Sequence, residues 1–299
     1  MRPTSRTSDL LLTAFAPAIW GSTYIVTTEA LAGWHPLTVA LLRALPAGLL
    51  LLVLVRRLPE GLWWGRSAML GALNFSVFWV LLFVSAYRLP GGVAATVGAV
   101  QPLIVLLLSR AVLGTRIRAL GVLAALCGIA GVAMLVLAPG ASIDPLGVAA
   151  GLGGAVSMAV GMVLTRRWQP PVPALTFTAW QLVAGGVLLL PVVLWLQPAV
   201  PAVSMANLLG LAWLGLVGAA LTCILWFRGI ARLGPTVTAP LALLSPIAAV
   251  LLGWAGLGQT LTPMQMAGMV VVIASIALSQ LAQGAAAPRP SRTAAASRG

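Results

Sequence analysis

Lysine is missing from the chain, and acids nearly so: Asp9, Glu29, Glu60 and Asp144 are its four carboxylates, and 7% of its 299 residues are charged. A soluble globular chain is about a quarter charged, so this composition cannot cover a water-facing surface. Histidine occurs once, at His35, and cysteine twice, at Cys127 and Cys223. Without a second histidine or clustered acids there is no material for a metal centre or a nucleophile with its base, so no enzyme activity, cofactor or metal is expected. His35 reads as a solvated loop residue. Both cysteines lie inside apolar runs and read as buried free thiols, not a disulfide.

What the chain has in abundance is apolar residues, 61% of the total. A spanning helix needs roughly 20 of them in a row. Such runs lie near 10–31, 36–55, 67–87, 91–112 and 118–138, then near 146–165, 174–196, 206–230, 235–256 and 263–282. The expectation is an all-α membrane protein of ten transmembrane helices. Residues 283–299 carry Ala, Pro, Ser and Arg without apolar period and are expected to be a disordered cytoplasmic tail. Arg2 and Arg6 before an apolar stretch, with Ala30-Leu31-Ala32 beyond, imitate a secretory leader. The stretch from Leu10 to Thr28 outruns the roughly 7–15 residues of a leader's apolar region, so it is expected to stay as the first span.

The net charge of +13 would suggest nucleic acid if it formed one face, but the seventeen arginines sit in short gaps between apolar runs. That is the pattern that orients a membrane protein, and its partner is the anionic lipid surface. With ten spans, one side collects Arg2, Arg6, Arg56, Arg57, Arg66, Arg110, Arg116, Arg118, Arg166, Arg167, Arg228, Arg232, Arg289, Arg292 and Arg298, fifteen of the seventeen. The opposite side holds only Arg88, and Arg43 lies within the second span. Because cytoplasmic loops carry the positive excess, both termini are expected in the cytoplasm.

The two halves match each other. Residues 71–136 laid on 215–280 without a gap give 16 identities in 66 positions, among them Arg88-Leu89 with Arg232-Leu233, Pro102 with Pro246, and Leu113-Gly114 with Leu257-Gly258. Pro36, Leu45, Ala47 and Gly48 match Pro173, Leu182, Ala184 and Gly185. Five is an odd number of spans, so the second copy, 146–282, is expected to enter the membrane inverted relative to the first, 10–138. Inverted repeats characterise secondary transporters, with the substrate site near the midplane. A duplicated chain supplies both opposed halves itself and needs no second copy to function.

At Trp20-Gly21-Ser22-Thr23-Tyr24, followed by Pro36, Arg43 and Ala47-Gly48, the sequence resembles an EamA-type member of the drug/metabolite transporter superfamily, over about residues 10–282. The resemblance implies a bacterial inner-membrane permease, usually an exporter of amino acids or related metabolites, working by alternating access. It also implies a central cavity walled by the first, third, fourth, eighth and ninth helices. Relatives often carry a glutamate before the last helix of each half, where this chain has Thr115 and Gln259.

Arg43 is the strongest single signal. A charge at a helix centre costs about 2.5–3.5 kcal/mol on insertion scales, so it needs a partner or a wet cavity. Holding a substrate carboxylate competes with a structural ion pair or outward snorkelling. Glu29 is expected either to pair with Arg43 or to couple protons, the latter as in the small multidrug resistance proteins of the same superfamily, which gives a cationic-drug exporter as the alternative function. Pro102 and Pro246 each remove a helix hydrogen bond, freeing the carbonyls of Gly98 and Ala242 for ligand or hinge. Trp20, Ser22, Tyr24, Asn74, Trp79, Gln101, Thr222, Trp226 and Ser245 are the polar and aromatic candidates for the wall, with Trp180 and Gln181 also inside spans. Trp34, Trp63, Trp64 and Trp168 read as interfacial anchors. Gly153, Ser157 and Gly161, with Gly147, Gly151 and Ala155, read as a helix-packing stripe.

Overall fold

The computed structural model describes residues 5–89, 91–136, 144–196, 198–199 and 201–284, and among them there is helix, turn and loop but no strand. The first helix, α1, is Arg6–Trp20. Among the described residues nine more are long and apolar enough to cross a membrane: α2 (Pro36–Val55), α3 (Trp63–Ser85), α4 (Ala94–Leu113), α5 (Ala119–Val136), α6 (Pro145–Trp168), α7 (Ala174–Leu196), α8 (Met205–Leu233), α9 (Pro235–Leu257) and α10 (Pro263–Gln283). Each falls on a predicted run.

The first run departs from expectation. Past Gly21, which keeps helical dihedrals (φ −57°, ψ −30°), a short piece Ser22–Ile25 leads into a wider π-type turn, Val26–Ala30. A Cβ at residue 21 would stand 2.7 Å from the Ser245 carbonyl oxygen and 2.8 Å from the Ala249 nitrogen, so only glycine lets this segment lie on the α9 backbone. Smaller departures occur at other ends: α3 begins four residues before its predicted start, α6 runs on to Trp168, and the last helix reaches Gly284, taking in Gln283 and Gly284 from the expected tail. Residues 137 and 138, and the rest of the tail at 285–299, lie outside the described residues.

Helix ends follow local chemistry. Pro36 opens α2 at a position whose missing N–H costs nothing, and His35 caps it by accepting from the Leu37 N–H at 3.3 Å, a role the loop reading missed. The matched Gly114 and Gly258 end α4 and α9 at φ 69° and 65°, the left-handed conformation that favours glycine. Irregularities also recur in both halves. A π-type stretch, Ala72–Ser76, lies in α3, and a longer one, Trp213–Leu221, in α8.

Helices of the first half pack mainly on helices of the second. α2 lies along α7, α3 and α4 on α6, α1 on α8 and α9, and α5 along α10. Small residues allow close approach. A Cβ at Gly48 would meet the Val183 nitrogen at 2.7 Å, and one at Gly268 the Leu135 nitrogen at 2.7 Å. The stripe on α6 packs as expected, with Gly147 against Leu89, Gly151 against Ser85 and Val97, and Ser157 donating to the Leu73 carbonyl. The polarity is inside out. Asn74, Gln181 and Thr222 are buried, whereas Leu11, Phe15, Val53, Leu194 and Trp195 are exposed, an exterior suited to lipid.

Candidate functional site

A cavity of about 580 Å³ lies among α1, α2, α3, α4, α5, α6, α8 and α9. Its walls reach the turn from Leu31 to Trp34 between α1 and α2, and none comes from the opposite ends of the helices, where Asp9 meets Arg228. Of the expected site residues, Trp20, Arg43, Asn74, Trp79, Gln101, Trp226, Ser245, Pro102 and Pro246 all line it, together with Gly98 and Ala242. Pro102 stands in the first turn of a helix that restarts at Gln101, and Pro246 in the first turn after a 3₁₀ stretch whose Ala242 carbonyl accepts from the Leu244 N–H, so the prolines open helices and do not free the Ala242 carbonyl as expected.

Arg43 is the only charged residue on the wall among the described residues. Its Nη2 donates to the Gly218 carbonyl at 2.9 Å, its guanidinium lies 5.2 Å from the centre of the Trp79 ring, and its Nε has no hydrogen-bond partner. Gly218 belongs to the π-type stretch of α8, and its carbonyl also accepts from Thr222 Oγ1 at 2.8 Å. Thr222 in turn accepts from Trp20 Nε1 at 2.9 Å, and the Trp20 ring leans on Trp226 at 5.1 Å. A chain of hydrogen bonds therefore runs from α1 through α8 to the guanidinium.

Thr222 itself is wholly buried behind Trp20 and is not part of the wall. Ser22 also lies off it, donating to the Ile19 carbonyl and accepting from Trp213 Nε1 at 2.9 Å. The Tyr24 side chain lies outside the described residues. Glu29 is exposed in the π-type turn after α1, away from the wall, and makes no ion pair with Arg43. Asn74 Nδ2 donates to Gln181 Oε1 at 2.8 Å, and Gly161 leaves room for the Asn74 amide. Gln101 Nε2 reaches Met162 Sδ at 3.2 Å. Trp180 is remote, its indole donating to the Arg57 carbonyl. Trp34 is 9% exposed and lines the cavity, so it is no lipid-facing anchor, while Trp64 is 56% exposed.

Several wall residues escaped the sequence reading: Thr23, Thr27, Phe75, Phe78, Cys223 and Phe227. Helical spacing held a signal for some. Thr23 and Thr27 stand three and seven residues beyond Trp20, and Phe75 four before Trp79, so they share its face.

No group of three His, Cys, Asp or Glu side chains able to hold a metal ion occurs among the described residues. Ion pairs flank the bundle at both ends. Asp9, 6% exposed, meets Arg228 at 2.6 Å and Arg232 at 3.4 Å, joining α1 to α8. At the other end Arg88, in the last turn of the helix that continues α3, meets Asp144, the cap of α6, at 3.5 Å.

The comparisons bear on the whole chain. The model of the EamA-like transporter family matches residues 7–137 and again 145–281. Protein PecM of Dickeya dadantii is 42% identical over 268 residues, spanning 89% of this chain and 90% of that protein. An uncharacterized inner membrane transporter, YedA of Escherichia coli (strain K12), is 30% identical over 88% of this chain and 87% of its own length. A solved structure described as "Crystal structure of protein" superposes with a TM-score of 0.81 over 93% of this chain and 100% of that one, at 22% identity, and shares the fold. An apolar multi-helix bundle around an aromatic cavity, with two matches to one transporter model, is not an enzyme: the chain belongs to the EamA-like transporter family of membrane proteins.

Proposed function

We propose that the chain is a secondary transporter that exports a small carboxylate-bearing metabolite, an amino acid or related compound, across the bacterial inner membrane by alternating access. The observation that carries this reading is Arg43, a fixed cation on the wall of an aromatic cavity with no ion-pair partner among the described residues. A solute carboxylate satisfies it. In this reading α1, with its continuation to Ala30, is the first of ten spans, and 10–138 and 146–282 are two opposed five-helix repeats. The repeated irregularities of α3 and α8 and the cross-half packing of α2 on α7 and α5 on α10 support it. Both termini are cytoplasmic by the arginine distribution, so the cavity reaches toward the outside and the Asp9 end is the closed one. The monomer suffices.

Export of candidate amino acids from cells expressing wild type or Arg43→Gln tests it. A charge-assisted contact contributes about 1.5–3 kcal/mol, so export falls about 10- to 100-fold. Undiminished export in the variant sinks the proposal. The cationic-drug alternative needs an acid on the wall, and Glu29 is exposed outside it. Export by Glu29→Gln is accordingly the same as wild type across a pH series.

A further inference from the structure

The carboxylate reading leaves open what accompanies the carboxylate, and the charge inventory of the bundle bears on that. Asp9 is engaged by Arg228 and Arg232, Glu60 by Arg57 and Asp144 by Arg88, while Glu29 is exposed away from the wall. No acid therefore faces the cavity among the described residues, and Arg43 gives its wall a charge of +1. An amine would raise the contents to +2. A zwitterionic amino acid leaves +1, still uncompensated in an apolar surround, whereas a monoanion brings the filled cavity to zero, the state that costs least to close off from water.

The neutral part of the wall has its own preference. Trp20, Phe75, Phe78, Trp79, Trp226 and Phe227 present ring faces and edges. Arg43 already stacks on one of them, so a flat conjugated body can slide between rings while its acid group reaches the guanidinium. Gln101 and Ser245 accept hydrogen bonds without supplying charge, which suits a hydroxyl or amide N–H where an amino acid has its ammonium. A volume of about 580 Å³ is that of a drug-sized ligand site.

Resting on the proposed function, we infer that this cavity selects a monoanionic organic acid with a flat, conjugated body and no ammonium group over the corresponding zwitterionic amino acid.

Three probes sharing one ring and one chain isolate the charge: 3-phenyllactate, phenylalanine and phenethylamine. With purified full-length protein, binding is read by thermal shift and transport by counterflow in proteoliposomes at neutral pH. The expected order is 3-phenyllactate at least about tenfold better than phenylalanine, with phenethylamine unbound, and Arg43→Gln erases the gap between the first two. Phenylalanine equal to or better than 3-phenyllactate in wild type overturns the inference while carboxylate transport stands. Failure of all three to bind or move overturns the inference and the carboxylate reading together. Should Arg43→Gln not fold, the wild-type order decides alone. The flat body is tested with 3-cyclohexyllactate, equally charged but puckered. It binds several-fold more weakly than 3-phenyllactate, and equal binding removes the conjugated-body half of the inference.

Discussion

Arg88 and Arg232 stand in the last turns of their helices, at matched positions of the two halves, yet they meet their acids in different company. Arg232 shares Asp9 with Arg228 in a junction where the carboxylate is 9% exposed, and the nearer guanidinium stands 2.6 Å away. Arg88 meets Asp144 at 3.5 Å, with the two side chains 47% and 37% exposed. The seams beside these pairs are alike in kind but reversed in detail. At the Asp9 end Thr13 of α1 fits the space left by Gly229 of α8, and at the Asp144 end Ser85 of α3 fits the space left by Gly151 of α6. One architecture therefore carries a tight, buried fastening at one end and a loose, wet one at the other. The cavity extends toward the loose end. Under the proposed function, the end with the better-shielded pair, at Asp9, is the closed one.

The comparison breaks most readily at Asp9. Asp9→Asn leaves two arginines together in a poorly hydrated seam, an expected loss of about 3 kcal/mol. The figure sits at the low end of the range for buried pairs because Arg232 is 41% exposed. Melting of the purified protein reads the loss directly. Cys223, on the cavity wall, reads the opening. In a Cys127→Ser background, an impermeant thiol reagent applied from the Asp9 side labels Cys223 faster by about tenfold for every 1.4 kcal/mol of closure lost. Unchanged melting and labelling would mean that apolar packing alone holds this end.

A smaller effect is expected at Gly229. A Cβ there falls against the buried Thr13, whose hydroxyl is already committed to the Asp9 carbonyl at 2.6 Å. Gly229→Ala is expected to cost about 1–3 kcal/mol by overpacking and to raise labelling from the Asp9 side only. Equal change from both sides would argue for general loosening.

The least effect belongs to the loose end. The Asp144 carboxyl is held below its ordinary range, chiefly because the Gly147 N–H donates to it at 2.8 Å, with Arg88 adding to the effect. A lowered folded value means that its contribution is present above the ordinary carboxylate range and is lost as pH falls through the lowered one. Asp144→Asn preserves the helix cap and removes that acid-side dependence. It leaves melting near neutrality almost unchanged, since exposed pairs contribute little. An acid-side slope identical to wild type would assign the dependence to another group.

Much of the helical order is legible in the residues because each span must satisfy its own backbone in lipid, which writes long apolar runs into the chain. The observed α2 and α7 coincide with the runs at 36–55 and 174–196. What escaped has tertiary causes. The need for glycine at 21 arises from the backbone of α9, which residues 10–31 do not reveal. The early start of α3 is supported by Arg66, which stacks on Trp63 and Trp168, so an arginine read as a loop marker stands inside the helix. Ser22 and Thr222 were expected on the wall because polarity inside a span is conspicuous, but polarity does not say which way a side chain points. Thr222 directly follows a π-type stretch, where the helical phase is shifted and a face counted at 3.6 residues per turn misses its target. Asp9 passed as one acid among four, although the match of Arg88 with Arg232 held the clue that its end of the bundle has a counterpart.

Arg43 has a consequence for bookkeeping across the membrane. A guanidinium keeps its proton at any pH a cell tolerates, so its affinity for cargo cannot be switched by titrating the protein. Control passes to the dissociation constant of the cargo. An acid released into an exterior near or below its own pKa, about 4 for a carboxylic acid, takes up a proton, loses the charge that matched the guanidinium, and rebinds poorly. Under the proposed function, such a carrier is rectified by its surroundings, with no acid on its cavity wall among the described residues.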